Sequence, residues 1–291
     1  MAGSRLKSRP GRKSGLNRLL IALIVILLTL IAAMGTVLLI RHAQSEPEEE
    51  ETPETVHIGG QDVVINQELN RSDLEEAHFT SDDTGTITYS GSALYGVDVS
   101  AHQGGIDWSA AAGDGIEFAI LRIGSRGYSA GAIRADACFE QNYTGAQENG
   151  ILVGAYFFSQ AVSVEEAVEE AEQVLSWLDG RALDGPVVYD WETIEDDVAR
   201  TDEVPGETVT ACARAFCDTI SAGGYTPMLY CNGMLGYLSY DLTELQDIGV
   251  WYAEYGDYPS YAYAMELWQY TNTGSVAGIQ GNVDRDIWFR K

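Results

Sequence analysis

Residues 185–192 read GPVVYDWE. Val187-Val188-Tyr189 is a β-branched and aromatic run that predicts a short buried strand, entered through the loop-like Leu183-Asp184-Gly185 and Pro186. Two carboxylates, Asp190 and Glu192, arrive where that strand runs out, with Trp191 between them. Side chains alternate along a strand, so residues two apart share a face, with Cα atoms about 6.5–7 Å apart. The octapeptide thus sets two acids side by side at the end of a hydrophobic strand. A strand-end Asp beside a solvated Glu accounts for the same residues, so the rest of the chain has to decide.

From Tyr95 onward, strand and helix signals alternate around this stretch. Strands are predicted at Tyr95–Ser100, Phe118–Gly124, Val153–Ser159, Pro186–Glu192 and Pro227–Asn232. Between them lie helical patterns at Trp108–Asp114, Asp136–Asn149, Ser163–Leu178 and Glu207–Ala222. Ser163 with Glu166 three residues on reads as a capping box. Such alternation predicts a parallel sheet with helices outside, either a barrel or an open doubly wound sheet. The pattern then changes. Gly249–Tyr255, Met265–Tyr270 and Val283–Phe289 are strands joined by short links without helical periodicity, too short for ordinary parallel crossovers. Five βα units and three further strands make eight, which fits an α/β barrel of the TIM type whose last third has lost its helices, (β/α)5(β)3.

In parallel barrels reacting groups gather at the carboxyl ends of the strands, and polar residues recur there. The first strand brings Asp98, then Ser100, His102 and Gln103; the third Tyr156; the fourth Asp190 and Glu192; the fifth Tyr230 and Asn232. The sixth brings Trp251 and Tyr252, the seventh Trp268 and Gln269. Any one of these aromatics is most simply a core residue. Their coincidence with acids at several strand ends suits a sugar cleft, where rings stack on pyranose faces and carboxylates take hydroxyls. Glycoside hydrolysis needs such a pair of acids, one protonated to assist the leaving oxygen and one ionised to stabilise positive charge on the sugar.

The chain from Tyr95 to Phe289 resembles glycoside hydrolase family 25, the Chalaropsis-type lysozymes. The matching residues are Gly96-Val97-Asp98-Val99-Ser100 with Gln103-Gly104 and Ile106-Asp107-Trp108; Phe118-Ala119-Ile120 with Arg122; Gly154-Ala155-Tyr156-Phe157; Asp190-Trp191-Glu192; Trp251-Tyr252-Ala253; Trp268-Gln269-Tyr270; and Gly281-Asn282-Val283-Asp284. The resemblance implies the same five-plus-three barrel and hydrolysis of the β-1,4 bond from N-acetylmuramic acid to N-acetylglucosamine in peptidoglycan. It implies Glu192 as general acid/base, Asp190 as its partner, Asp98 and Asp284 as supporting acids, and no metal or organic cofactor. Tyr156, Tyr230, Asn232, Trp251 and Gln269 are then the expected substrate-binding residues. Asp190 has three routes open to it: stabilising the oxocarbenium ion, orienting the substrate's 2-acetamido group, or attacking directly. Asp286 is a departure, since a neutral Asn is expected there in relatives, and it adds a negative charge near the site. Because Asp284 starts its strand, its acid reaches the mouth only if the last strand runs antiparallel to the seventh. The alternatives are a glycan-binding or envelope-structural barrel without catalysis, and a hydrolase of another amino-sugar polysaccharide such as chitin.

Charge and hydropathy set the compartment. Residues 1–18 hold Arg5, Lys7, Arg9, Arg12, Lys13 and Arg18 and no acid, and Leu19–Ile40 is uncharged, long enough at ~1.5 Å per residue to cross a ~30 Å bilayer core. A single-pass anchor over 19–40 is expected, with the basic tail 1–18 cytoplasmic and the rest outside. A signal peptide cleaved near Ala32–Gly35 is the competing reading. Beyond residue 41 there are ten Lys and Arg against 44 Asp and Glu, a net charge of −34. That charge excludes nucleic acid as a partner and argues against electrostatic adhesion to an anionic cell wall; the resemblance implies peptidoglycan glycan strands as the partner, the apolar span implies the membrane, and a monomer is expected. Residues 41–92 are read as an acidic extracellular linker, with a small hairpin near His57–Leu69 and a strand at Thr86–Tyr89, and 93–291 as the catalytic domain. Cys138, Cys212, Cys217 and Cys231 are expected as free, mostly buried thiols, although their even number permits disulfides. Four scattered His residues make no metal-ligand cluster.

Overall fold

The computed structural model describes residues 13–44, 53–194 and 197–290. The basic tail up to residue 12 and the acidic stem at 46–51 lie outside the described residues. The chain forms two compact units, Met1–Pro53 and Glu54–Lys291. The first contains α1 (Lys13–Gln44), whose span Asn17–Arg41 is long and apolar enough to cross a membrane; a signal sequence would pass the same test.

The second unit opens with two small hairpins, β1 (Thr55–Ile58) with β2 (Gln61–Val64) and β3 (Phe79–Ser81) with β4 (Ile87–Tyr89). Then come β5 (Ala93–Val99), α2 (Trp108–Gly113), β6 (Phe118–Arg126), β7 (Ile133–Ala135), α3 (Phe139–Glu148), β8 (Leu152–Ser159), α4 (Val164–Leu178), β9 (Val187–Trp191), α5 (Gly206–Ala222), β10 (Pro227–Asn232), β11 (Gly249–Ala253), β12 (Leu267–Gly274) and β13 (Val283–Phe289). The sheet order β5-β13-β12-β11-β10-β9-β8-β6, with β5 also paired to β6, closes an eight-stranded barrel. Neighbours are parallel from β5 through β12, and β13 runs antiparallel to both β12 and β5. This is the (β/α)5(β)3 barrel. Its fifth helix is reduced to a short π-helical turn at Leu235–Ser239, followed by a 3-10 turn at Leu242–Glu244. β7, which the sequence reading passed over, extends β6 as a hairpin at the mouth.

The strands form because each presents an apolar residue to both sides. On β9, Val187, Tyr189 and Trp191 pack outward under the helices, while Val188 joins Phe118, Ile120, Met228, Trp251, Leu267 and Trp288 in a separate interior cluster. α4 shows the matching logic. Ser163 Oγ accepts from the Glu166 N–H, Glu166 Oε2 accepts from the Val162 N–H, and Ala167, Ala171, Val174 and Leu178 form the buried stripe. Cys212, Cys217 and Cys231 are buried and all four cysteines are free; burial pushes those three thiols up to about 12.

The expected linker over 41–92 is corrected in its second half. Ile65, Leu69, Phe79 and Ile87 are buried in the outer core. Strands β11 to β13 lack covering helices, so their outward side chains need another lid. Phe79 meets the Trp268 ring edge-on at 5.6 Å and Phe289 at 6.1 Å, Tyr89 meets Phe289 at 5.1 Å, and Arg285 donates to Thr86 Oγ1 at 2.6 Å. The hairpins stand where helices would stand in a complete βα barrel.

Candidate active site

Alternation on β9 aims Val188, Asp190 and Glu192 to the barrel axis, and Asp190 lies where the apolar filling ends. It is 5% exposed, and its Oδ1 receives no N–H or hydroxyl donor. The group in hydrogen-bond contact with it is the Glu192 carboxyl. Burial first, then the Glu192 charge and the Asp98 charge, push Asp190 well above the usual carboxylate range. Low polarity there penalises the charge of Asp190, and the neighbouring carboxylates add to that penalty.

The other acids arrive from strands across and beside β9. β9 and β13 lie four strands apart in the ring of eight, so their inward residues face each other. Asp284 pairs in register with Asp98, and Asp286 with Gly96 one step deeper. The antiparallel turn of β13 brings its first residues to the mouth, as Asp284 required. Asp284 is half-buried, and burial pushes it up to about 6. Asp98, 5% exposed, is raised well above the usual range by burial first and by the Asp284 charge next. Asp286 is 1% exposed, and its Oδ1 accepts from Trp251 Nε1 at 2.9 Å. Arg122, on β6, gives its Nε to Asp136 Oδ2 at 2.8 Å and is a local positive charge that lowers Asp190.

The expected sugar-binding residues divide. Trp251 is 2% exposed, enclosed by Tyr156 and Tyr230 rings at 6.1 and 5.0 Å, with its N–H committed to Asp286. It shapes the acid cluster and offers no free face to a sugar. Gln269 donates Nε2 to Asp98 Oδ2 at 2.8 Å. Asn232 caps the following turn, its Oδ1 accepting from the Leu235 N–H at 3.1 Å. Tyr156 and Tyr230, 9% and 7% exposed, flank the acids, and the charges of Asp98 and Asp190 act on both. Tyr252 and Trp268 face outward, Tyr252 stacked on Tyr261 at 4.1 Å. Ser100 and Gln103 close a capping box that fixes the loop after Asp98.

Tyr255 is the residue the sequence reading missed. It is 54% exposed, two residues past β11, and its hydroxyl donates to Gln269 Oε1 at 3.1 Å. The charges of Asp284, Asp98 and Glu192 all act on it, so an open aromatic face stands beside the cluster. Its signal was an aromatic just beyond a strand end, where a sugar platform belongs.

The loop carrying Glu192 is held from behind. Gln160, fully buried, donates Nε2 to the Glu192 carbonyl at 2.6 Å and accepts from Thr201 Oγ1 at 3.1 Å. Trp191 Nε1 donates to the Ala161 carbonyl at 2.9 Å. A cavity of about 590 Å³ lies at the opposite end of the barrel, among Leu245, Ile248, Met265 and Trp288, far from these acids.

Residues 97–279 match the profile of glycosyl hydrolases family 25. An autolytic lysozyme of Clostridium acetobutylicum is 25% identical over 195 residues, which cover 66% of this chain and 55% of that one. The chain thus spans about half the length of that relative. Lysozyme M1 of Streptomyces globisporus is 28% identical over 220 residues, 67% of each chain. Among solved structures, the modular autolysin LytC of Streptococcus pneumoniae, in complex with a synthetic peptidoglycan ligand, superposes with a TM-score of 0.60 at 22% identity, covering 82% of this chain and 52% of that one. That last likeness is one of fold. The family profile runs through the strands that carry Asp98, Asp190 and Glu192 and covers well over half of the sequence: the chain belongs to glycosyl hydrolases family 25.

Proposed function

We propose that this protein is a membrane-tethered lysozyme that cleaves the β-1,4 bond between N-acetylmuramic acid and N-acetylglucosamine in peptidoglycan. The observation that carries the reading is the Asp190–Glu192 carboxyl pair, in hydrogen-bond contact at the end of β9 and ringed by Asp98 and Asp284. Such a pair supplies one proton and one negative charge, which glycoside cleavage requires. Glu192 is the more exposed member and donates the proton to O4 of the departing N-acetylglucosamine as the C1–O4 bond breaks. The route we favour is attack on C1 by the substrate's own 2-acetamido oxygen, with Asp190 orienting that group and stabilising its positive charge. Water then opens the oxazolinium ring with Glu192 as base, regaining its proton. Asp98 and Asp284 stabilise the cationic sugar, and Tyr255 offers the ring on which a pyranose stacks.

Residues 19–40 serve as an uncleaved anchor in this reading, since the apolar run continues through Val37-Leu38-Leu39-Ile40 past the small residues of a would-be cleavage site. Digestion of purified peptidoglycan, followed by reducing-end analysis of the fragments, tests the activity. New muramic acid reducing ends are expected. New N-acetylglucosamine ends, cleavage of chitin oligomers in preference, or no fragments would overturn it.

A further inference from the structure

Residues 197–204, beyond the end of β9, run without helix or strand, and little apolar burial holds them: Val198 is 81% exposed. Thr201 within that run is nevertheless 2% exposed. It donates Oγ1 to Gln160, the residue that donates to the Glu192 carbonyl. The segment is fastened by Arg200. Its backbone N–H donates to the Tyr128 carbonyl at 2.9 Å, in the turn between β6 and β7. Its Nη2 donates to Glu166 Oε1 at 2.6 Å, in the first turn of α4. The guanidinium thus fills a slot between hairpin and helix. It lies against Gly131, where a Cβ would collide with Nη1.

The slot is itself held together. Arg126, 4% exposed, donates Nη1 to the Gly131 carbonyl at 2.9 Å and Nη2 to the Glu166 carbonyl at 3.1 Å, so one side chain ties the two walls to each other. Its Nε goes to Glu170 Oε1, and Glu170 Oε2 accepts from Ser159 Oγ, next to Gln160. Charge-assisted bonds of this kind, shielded from water, are among the stronger ones a protein makes. We propose that Arg200 is a positioning residue for Glu192: locked in the slot, it fixes Thr201, and through Thr201 and Gln160 it sets the height of the Glu192 backbone at the cleft. Arg200 touches neither the acids nor the substrate. A shift of about 1 Å in a group that must meet a leaving oxygen can cost about 100-fold, which is what a latch at this distance guards against.

The kinetic part rests on the lysozyme reading; the holding of the loop does not. The full chain in detergent is compared as wild type, Arg200→Met, Arg200→Lys, Gln160→Ala and the Arg200→Met/Gln160→Ala double variant. Arg200→Met keeps the stem and removes the donors. It should lose about 10-fold in kcat on peptidoglycan, with KM within about twofold. Arg200→Lys keeps the charge opposite Glu166 but not the planar fork, and should lie between the two. Because both residues act through one carbonyl, the double variant should lose no more than Gln160→Ala alone. Hydrogen exchange should quicken in the peptides holding Glu192 and Thr201 of Arg200→Met while the melting temperature stays near wild type. Should Arg200→Met fail to fold, Glu166→Gln weakens the same ion pair from its other end and carries the same test. Unchanged kcat, losses that multiply in the double variant, or unchanged exchange in those peptides would overturn the proposal. A wild type inactive on peptidoglycan would refute the lysozyme reading, and the exchange comparison alone would then decide whether Arg200 holds the loop.

Discussion

Glu192 and Asp190 stand together at the end of β9, and their substitutions test the two roles separately. Glu192→Gln removes the transferable proton and should cost about 10²–10⁴-fold in kcat, with circular dichroism and melting temperature near wild type because the side chain is half-buried at the rim. Asp190→Asn should be comparably severe in kcat. A Glu192→Gln variant with near-normal turnover would move the acid elsewhere. Asp284→Asn should lower kcat strongly, whereas Asp286→Asn should not, a ranking the same peptidoglycan assay measures. The four principal acids were legible in the sequence because alternation on a short strand decides which residues face the axis. The partners of Trp251, Gln269 and Asn232 were not. A strand-end position places a side chain at the mouth but does not say that an indole N–H will be spent on Asp286 or an amide oxygen on a cap. Tyr255 closes the predicted strand Gly249–Tyr255, whereas the observed strand ends at Ala253 and leaves it in the loop beyond.

Two elements support the site from outside it. Gln160 follows β8 and ties the Glu192 carbonyl to Thr201. Gln160→Ala frees that carbonyl and should reduce kcat about 10- to 100-fold through misplacement of Glu192, with KM less affected; unchanged kcat would show that the loop holds its place without the clamp. The hairpins β1–β2 and β3–β4 cover the barrel strands that lack helices. Phe79→Ala opens a cavity against Trp268 and Phe289 and should destabilise the second unit by about 3–5 kcal/mol in denaturant unfolding. A cost below about 1 kcal/mol would make the hairpins an ornament. The last three strands were readable from short, non-helical links, and the antiparallel β13 from the requirement that Asp284, at the start of its strand, reach the mouth. Residues 54–92 read as a linker because their strands are only three or four residues long and mostly exposed on one side. Nothing local distinguishes a short strand in a spacer from one pinned by a distant tryptophan.

For the whole molecule, the anchor reading predicts sidedness. Protease added to intact spheroplasts should remove the second unit and leave the amino-terminal tail protected; the reverse pattern, or a mature chain starting near Met34, would refute it. The titration of the barrel supplies a second, independent prediction. Asp98, Asp190 and Asp286 are raised well above the usual range, Asp284 up to about 6 and Glu170 up to about 7, each chiefly by burial. A carboxyl raised by folding binds its proton more tightly in the native state than in the unfolded chain, so stability falls as pH rises above about 4 and through each native value. Opposing these, Glu54, Asp82 and Asp247 are lowered by hydrogen bonds to their side chains, and Glu165 and Glu166 are also lowered, with hydrogen bonds again pulling them down. Their contribution is present above about pH 4 and is lost as pH falls below it. The net charge of −34 beyond residue 41 adds self-repulsion on the alkaline side. Maximum stability should therefore lie in mildly acidic solution, with the melting temperature of the second unit dropping between pH 5 and pH 8. The acids responsible are the proposed catalytic ones, so removing one should separate stability from activity. Asp284→Asn at pH 8 should gain on the order of 1–3 kcal/mol, several degrees in calorimetry, while losing turnover. At pH 3 the gain should nearly vanish, because Asp284 is then largely protonated in both states. A variant that is destabilised equally at both pH values would show that Asp284 is held by its partners and not strained by its charge.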